Sequence, residues 1–343
     1  MRRMLGLCGA GSGAVFLVCA AAAGATASSA ATASLYSHAA ARKLYYKGKY
    51  DAVESMCQDA IAAIEARDGD QSWLLADPLN DLAGVDLRMG RFKAAEKLIQ
   101  QAEPLLDPGK REQALVLARV YTNKAWRHYG WGESAQGEKW LKAAQDTLQK
   151  NGAGTSLDMA EVLNNMGLIL DDGGPDEVKQ AELLLFRSWE MRRKLAGDDS
   201  AEVAESLNNM GMHFLFHPGD SPQENRTTAI ATLRKAAELA AKVYGKDNSE
   251  AAFAQANLAL AYMMVGQIDL ADKTIHAALP ITEAAFGKLN LDRAFELDVL
   301  GEVLETEQKY QDAEQAFKES VSINEAIYGP NHEYVGSALT YLE

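Results

Sequence analysis

Small residues recur along this chain at a nearly constant spacing. Ala41, Ala83, Ala125, Gly167, Gly211, Ala259 and Gly301 follow one another at intervals of 42, 42, 42, 44, 48 and 42 residues. Each lies in a similar local pattern. Three residues on stand Leu44, Leu170, Phe214, Tyr262 and Leu304, with polar Asp86 and His128 as exceptions. One residue before stand Ala40, Leu82, Met166, Met210, Leu258 and Leu300, with Lys124 as the exception. Apolar positions one, three and four apart mark one face of a helix. A face that returns at a fixed period predicts an array of repeats. The clearest copies are the two pentapeptides Leu163–Gly167 and Leu207–Gly211, both LNNMG.

A second helix follows in each unit. Gly48, Gly90, Gly132 and Gly266 stand two residues before Tyr50, Phe92, Ser134 and Ile268, where glycine predicts a left-handed cap; Gln308 fills that slot before Tyr310. The second helix carries Val53, Ala95, Gly137, Ala181, Ala229, Ala271 and Ala313. Four residues on are Cys57, Ile99, Leu141, Leu185, Leu233, Ile275 and Phe317, which completes one apolar stripe. Gly197, Gly245, Gly287 and Gly329 close it, and Asp199 or Asn248 then offers a side-chain oxygen to cap the next helix. The pattern predicts an all-α array of seven antiparallel helix pairs at about 34–68, 72–108, 110–152, 156–197, 199–245, 248–287 and 290–329, with a terminal helix over 332–343. Two longer turns, at 171–175 and 217–222, break the 42-residue phase. The third unit is the least regular and gathers Trp126, Trp131 and Trp140.

Composition changes the picture in two places. The formal net charge of −14 argues against nucleic acid as a partner, because an acidic surface repels phosphate. The first 33 residues do not fit the repeat. Arg2 and Arg3 precede an uncharged apolar stretch, and Ala25-Thr26-Ala27 and Ala31-Thr32-Ala33 fit a small-x-small cleavage site, which predicts a signal peptide cut after Ala27 or Ala33. The protein is then exported, periplasmic or secreted; the alternative is a chain tethered by an uncleaved anchor. Cleavage leaves Cys57 as the sole cysteine, at a core position, so no intramolecular disulfide forms and an inert buried thiol is expected.

The small-residue, aromatic and alanine pattern of each unit resembles the tetratricopeptide repeat. The 42-residue period and the strings AEVAESLNNMG at 201–211 and YGPNHEYV at 328–335 look like the kinesin-light-chain type of that repeat. The resemblance implies a right-handed superhelical solenoid whose first helices line a concave groove that holds a protein or an extended peptide, without catalysis. Two residues before each marker stand Asp81, Asn123, Asn165, Asn209, Asn257 and Val299, and one residue earlier stand Asn80, Thr122, Asn164, Asn208, Ala256 and Asp298. In the resemblance the first set faces the groove. An amide both donates and accepts, as a peptide backbone requires; equally, these asparagines can bond one another and tie repeats together. Glu161, Glu205, Phe253, Leu168, Met212 and Leu260 complete the groove implied by the resemblance. Acid at Glu161, Asp171, Asp172 and Glu205 favours a neutral or basic segment.

Other chemistry finds little support. His213 and His217 are four apart, but no third metal ligand is evident beside them, so no metal is expected. No Gly-Lys-Ser/Thr phosphate loop occurs and no cofactor is implied. The three tryptophans suit either a ligand platform or repacking of an irregular repeat. These readings lead to an exported, non-catalytic adaptor for protein segments. The alternatives are a self-assembling envelope spacer and the regulatory repeats of a longer hydrolase.

Overall fold

The structure is a computed structural model and describes residues 36–219 and 222–342. The signal-peptide reading lies outside the described residues. Seven antiparallel helix pairs follow in order: α1 (His38–Tyr46) with α2 (Tyr50–Asp68), α3 (Ala76–Arg88) with α4 (Phe92–Ala102), α5 (Arg111–Gly130) with α6 (Ser134–Lys150), α7 (Leu157–Asp171) with α8 (Pro175–Ala196), α9 (Ala201–Phe216) with α10 (Pro222–Tyr244), α11 (Ser249–Met264) with α12 (Ile268–Phe286), and α13 (Leu291–Thr306) with α14 (Tyr310–Tyr328). A short helix, α15 (Glu333–Leu339), comes last. It is shorter than the 332–343 expected, because Tyr341 and Leu342 leave the helix to pack on α14, where the Tyr341 ring stacks on Phe317 at 4.9 Å.

Local chemistry explains where the helices begin and turn. Ser156, Ser200, Asn248 and Asn290 accept hydrogen bonds from the first turns of α7, α9, α11 and α13. Ser200 takes the capping place offered to Asp199, whose carboxylate instead pairs with Lys242 Nζ at 2.7 Å. The turn between paired helices has positive φ at Gly48, Gly90, Gly132 and Gly266. Gln308 adopts the same conformation with a φ of 65°, so the turn is kept where glycine is missing.

The marker residues lie where paired helices touch. A Cβ on Gly211 would come 2.6 Å from Leu233 Cγ and 3.2 Å from the Leu233 backbone nitrogen; one on Gly167 would meet Leu185 Cγ at 2.8 Å. The first helix of each pair packs on its own second helix and on the next pair, giving the local, stacked core of a solenoid.

The array also closes on itself across long sequence distances. Tyr50 donates to Glu250 Oε1 at 2.9 Å, and the Tyr50 ring lies 5.3 Å from Phe286. Arg88 bridges Glu250 at 3.0 Å and Asp292 at 2.6 Å while its guanidinium covers Phe286. Phe92 stacks on Tyr328 at 5.6 Å, and Trp131 packs on Tyr328 and His332. Arg42 pairs with Glu202. Each contact joins one of the first three pairs to an element about four or five pairs later, so one superhelical turn seats on the next along a seam.

Candidate functional site

The predicted groove residues lie on the first helices of the third to sixth pairs. Asn123, Asn164, Asn165, Asn208, Asn209, Asn257, Glu161, Glu205, Met212, Phe253 and Leu260 are buried, and Leu168 is half-buried. The asparagines obey a pairing rule that spans repeats. The residue two before the marker bonds the residue three before the marker of the preceding repeat. Asn123 Nδ2 donates to Asn80 Oδ1 at 2.9 Å, Asn209 Nδ2 to Asn164 Oδ1 at 3.1 Å, and Asn257 Nδ2 to Asn208 Oδ1 at 2.9 Å. The same rung between the first and second repeats is His38 Nδ1 to Asp81 Oδ2, at 2.7 Å. Between the sixth and seventh, Ala256 and Val299 replace it with two buried apolar side chains.

One rung is missing. Thr122 stands where an asparagine would accept from Asn165, and its hydroxyl donates instead to the Ala118 carbonyl within its own helix, at 3.0 Å. Asn165 Nδ2 is therefore buried without a hydrogen-bond partner, while its Oδ1 accepts from Asn164 at 3.2 Å. A void of about 10 Å³ lies beside this break, lined in part by Asn80, Thr122, Asn123 and Glu161.

Acids surround the ladder. Glu205 Oε1 accepts from Asn164 at 3.4 Å and faces Arg192 Nη2 at 3.4 Å; its Oε2 has no hydrogen-bond partner. Burial pushes the Glu205 carboxyl up to about 7 against the opposing pull of Arg192. Burial likewise raises Asp81 to about 7, and Glu296 and Asp298 to about 8. A second acidic region is a cavity of about 460 Å³ bordered by Tyr129, Glu133, Asp172, Glu177 and Glu333.

The remaining sequence candidates separate. Trp126 is buried against Tyr129, Trp140 lies beside Tyr121 with Lys124 Nζ 3.7 Å from its ring, and Trp131 joins the seam. They form no common platform; they repack the irregular third repeat. Cys57 is fully buried, and burial pushes its thiol up to about 12, which suits an inert core group. The histidine pair does acquire a third ligand-type residue, contrary to the sequence reading: the loop register brings Asp171, from the preceding repeat, against both rings.

This geometry defines an α-solenoid of stacked helix pairs, and the solenoid is of the tetratricopeptide-repeat kind. A tetratricopeptide repeat family model matches residues 250–326. The Rap protein complexed with competence and sporulation factor superposes with a TM-score of 0.62 at 13% identity, over 89% of this chain and 80% of that one. NprR in complex with its cognate peptide NprX superposes with a TM-score of 0.59 at 12% identity, over 86% and 82%. The clustered mitochondria protein homolog of Aspergillus niger is 24% identical over 168 residues, which are 49% of this chain and 13% of that protein. The chain thus spans about 13% of the length of this curated relative. At these identities the structural likenesses establish the fold.

Proposed function

We propose that this protein is an exported, non-catalytic adaptor that holds an extended neutral or basic protein segment against the first helices of its third to fifth repeats. The observation that carries the proposal is the broken rung. Asn165 Nδ2 and Glu205 Oε2 are a buried donor and a buried acceptor without hydrogen-bond partners, beside the one asparagine that lacks its rung to the preceding repeat. Asn80 Nδ2 and Asn257 Oδ1 are likewise unpaired, but their side chains take part in rungs through their other amide atom. A buried polar group without a partner costs about 1–3 kcal/mol, which a segment supplying a carbonyl to Asn165 Nδ2 and a donor to Glu205 Oε2 recovers. A segment that donates to Glu205 and carries positive charge also offsets the burial that raises these carboxyls. Two structures of similar fold hold a peptide or a factor, which agrees with this mode of action. Export rests on the N-terminal charge and apolar pattern, and the kinesin-light-chain type rests on the 42-residue period.

The test uses fluorescence anisotropy with labelled extended peptides that are lysine-containing, neutral or glutamate-rich. We expect saturable binding by the first two classes and at least a tenfold loss in Asn165→Ala and in Glu205→Gln, with helical content by circular dichroism unchanged. Absence of saturable binding in every class, or affinities indifferent to both substitutions, would overturn the reading. N-terminal sequencing of the mature chain from envelope and medium fractions tests export; retention of residues 1–33 in a cytoplasmic protein would remove that part.

A further inference from the structure

Two repeats depart from the 42-residue phase, and their lengthened turns meet. Asp171 is the last residue of α7 and opens the first long turn. His213 lies in the last turn of α9, and His217 caps that helix, its backbone N–H donating to the His213 carbonyl at 2.9 Å. Pro218 follows outside the helix. The result places one carboxylate between two imidazoles from the neighbouring repeat. Asp171 Oδ1 is 2.5 Å from His213 Nδ1 and 3.3 Å from His217 Nε2. One ligand-type atom from each of the three residues falls within 4.8 Å of the others.

We propose that Asp171, His213 and His217 form a binding site for a divalent transition metal of the zinc class, which clamps the turns of the fourth and fifth repeats together. Two imidazole nitrogens with one carboxylate oxygen suit zinc and its first-row neighbours. Calcium and magnesium require more oxygen ligands than this set supplies. Metal–ligand bonds of about 2.0–2.2 Å in tetrahedral geometry separate the ligand atoms by about 3.3–3.5 Å. The His217–Asp171 pair already has that spacing. The His213–Asp171 hydrogen bond must open by less than about 1 Å, with the proton between them released as the metal enters.

The surroundings fit a ligand role. Asp171 and His217 are part-exposed, at 18% and 14% of their side chains, so an ion can reach them. The remaining His213 ring nitrogen, Nε2, is 4.0 Å from Glu182 Oε2. That carboxylate is largely exposed and free to close the gap and receive the Nε2–H. Metal-binding histidines usually donate their second nitrogen to such a partner, which fixes the tautomer and the ring. The set leaves a fourth position for water. An ion pair alone would use Asp171 with one histidine and would not explain a second imidazole directed at the same oxygen.

The full chain, stripped with chelator and dialysed, is titrated with Zn²⁺ by calorimetry and followed by thermal unfolding. We expect one Zn²⁺ per chain and a rise in Tm that chelator reverses. His217→Ala should lower affinity at least 100-fold, and Asp171→Asn similarly. Glu182→Gln should lower it about tenfold. Excess Mg²⁺ and Ca²⁺ should not compete. Co²⁺ substitution should give a spectrum without thiolate-to-metal absorption. Because His213 is buried and its variants could misfold, His217→Ala, at a helix cap, carries the decision. A folded, stripped protein that takes up no Zn²⁺ at 100-fold excess overturns the site. So does Zn²⁺ binding that persists in both His217→Ala and Asp171→Asn, or a Co²⁺ complex with thiolate absorption.

Discussion

At the residue scale, glycine stands at the marker where Leu185, Leu233 and Phe317 of the second helix press on it, and alanine stands opposite Cys57, Ile99 and Ile275. The third pair reverses the arrangement: its marker is Ala125, its partner position holds Leu141, and the glycine is Gly137 on the second helix, where a Cβ would lie 3.1 Å from the Ala125 carbonyl oxygen. The substitution Gly211→Ala separates close approach from mere helix propensity. Propensity alone favours alanine by about 1 kcal/mol in a helix interior. The added methyl, however, meets Leu233 Cγ at 2.6 Å and the Leu233 backbone nitrogen at 3.2 Å. A side chain can rotate aside, but the backbone cannot, so overpacking prevails and the variant should lose about 1–3 kcal/mol. Urea unfolding with an unchanged m-value checks this. A variant as stable as the parent would show that α9 and α10 slide apart at no cost.

At the element scale, the first helices are joined by rungs whose composition varies from repeat to repeat: His–Asp, Asn–Asn, Thr–Asn, two further Asn–Asn pairs, then Ala–Val. The broken Thr–Asn rung gives a direct test of the rule. In Thr122→Asn the new amide oxygen should accept from Asn165 Nδ2, and the adjacent void of about 10 Å³ gives the longer side chain room. We expect about 1 kcal/mol of added stability by urea unfolding; a loss would mean that the void cannot admit the amide. Helix pairs, turn glycines and the asparagine rows were legible in the sequence because each is set within one repeat by short-range spacing and capping chemistry. The rungs were not. Which residue of one repeat meets which residue of the next depends on the stagger of adjacent helices, and separations of 43, 45 and 49 residues hide one geometric relation behind two insertions. Asp171 escaped notice as the histidines' partner for the same reason: it lies 42 residues from His213 along the chain.

At the scale of the whole molecule, the seam between superhelical turns was beyond sequence reasoning, since separations of 160–200 residues are fixed by the pitch of the solenoid. Closure draws Arg88, Glu250 and Asp292 out of water together; burial raises Asp292 while Arg88 opposes the rise. The buried acids give the assembled molecule a pH dependence of definite sign. Asp81 and Glu205 sit near 7, and Glu296 and Asp298 near 8, through burial. Unfolded carboxylates titrate near about 4, so between about 4 and 8 the folded chain holds protons that the unfolded chain has released. The stability these groups contribute is whole below the unfolded value and is lost as pH rises through 7 and 8. Asp171 works in the opposite sense: burial raises it, but hydrogen bonds from His213 and His217 leave it lowered, so its contribution is present at neutral pH and lost on strong acidification. Stability should therefore peak in mildly acidic solution, with Tm higher at pH 5.5 than at pH 8.5. Glu296→Gln tests the source. Its amide oxygen can still accept from Thr282 Oγ1, as Glu296 Oε1 does at 2.6 Å, but it has no proton to lose. The variant should match the parent near pH 4 and exceed it by a growing margin as pH rises to 8.5. Parallel pH profiles for parent and variant would show that Glu296 is hydrated and ionised in the folded chain.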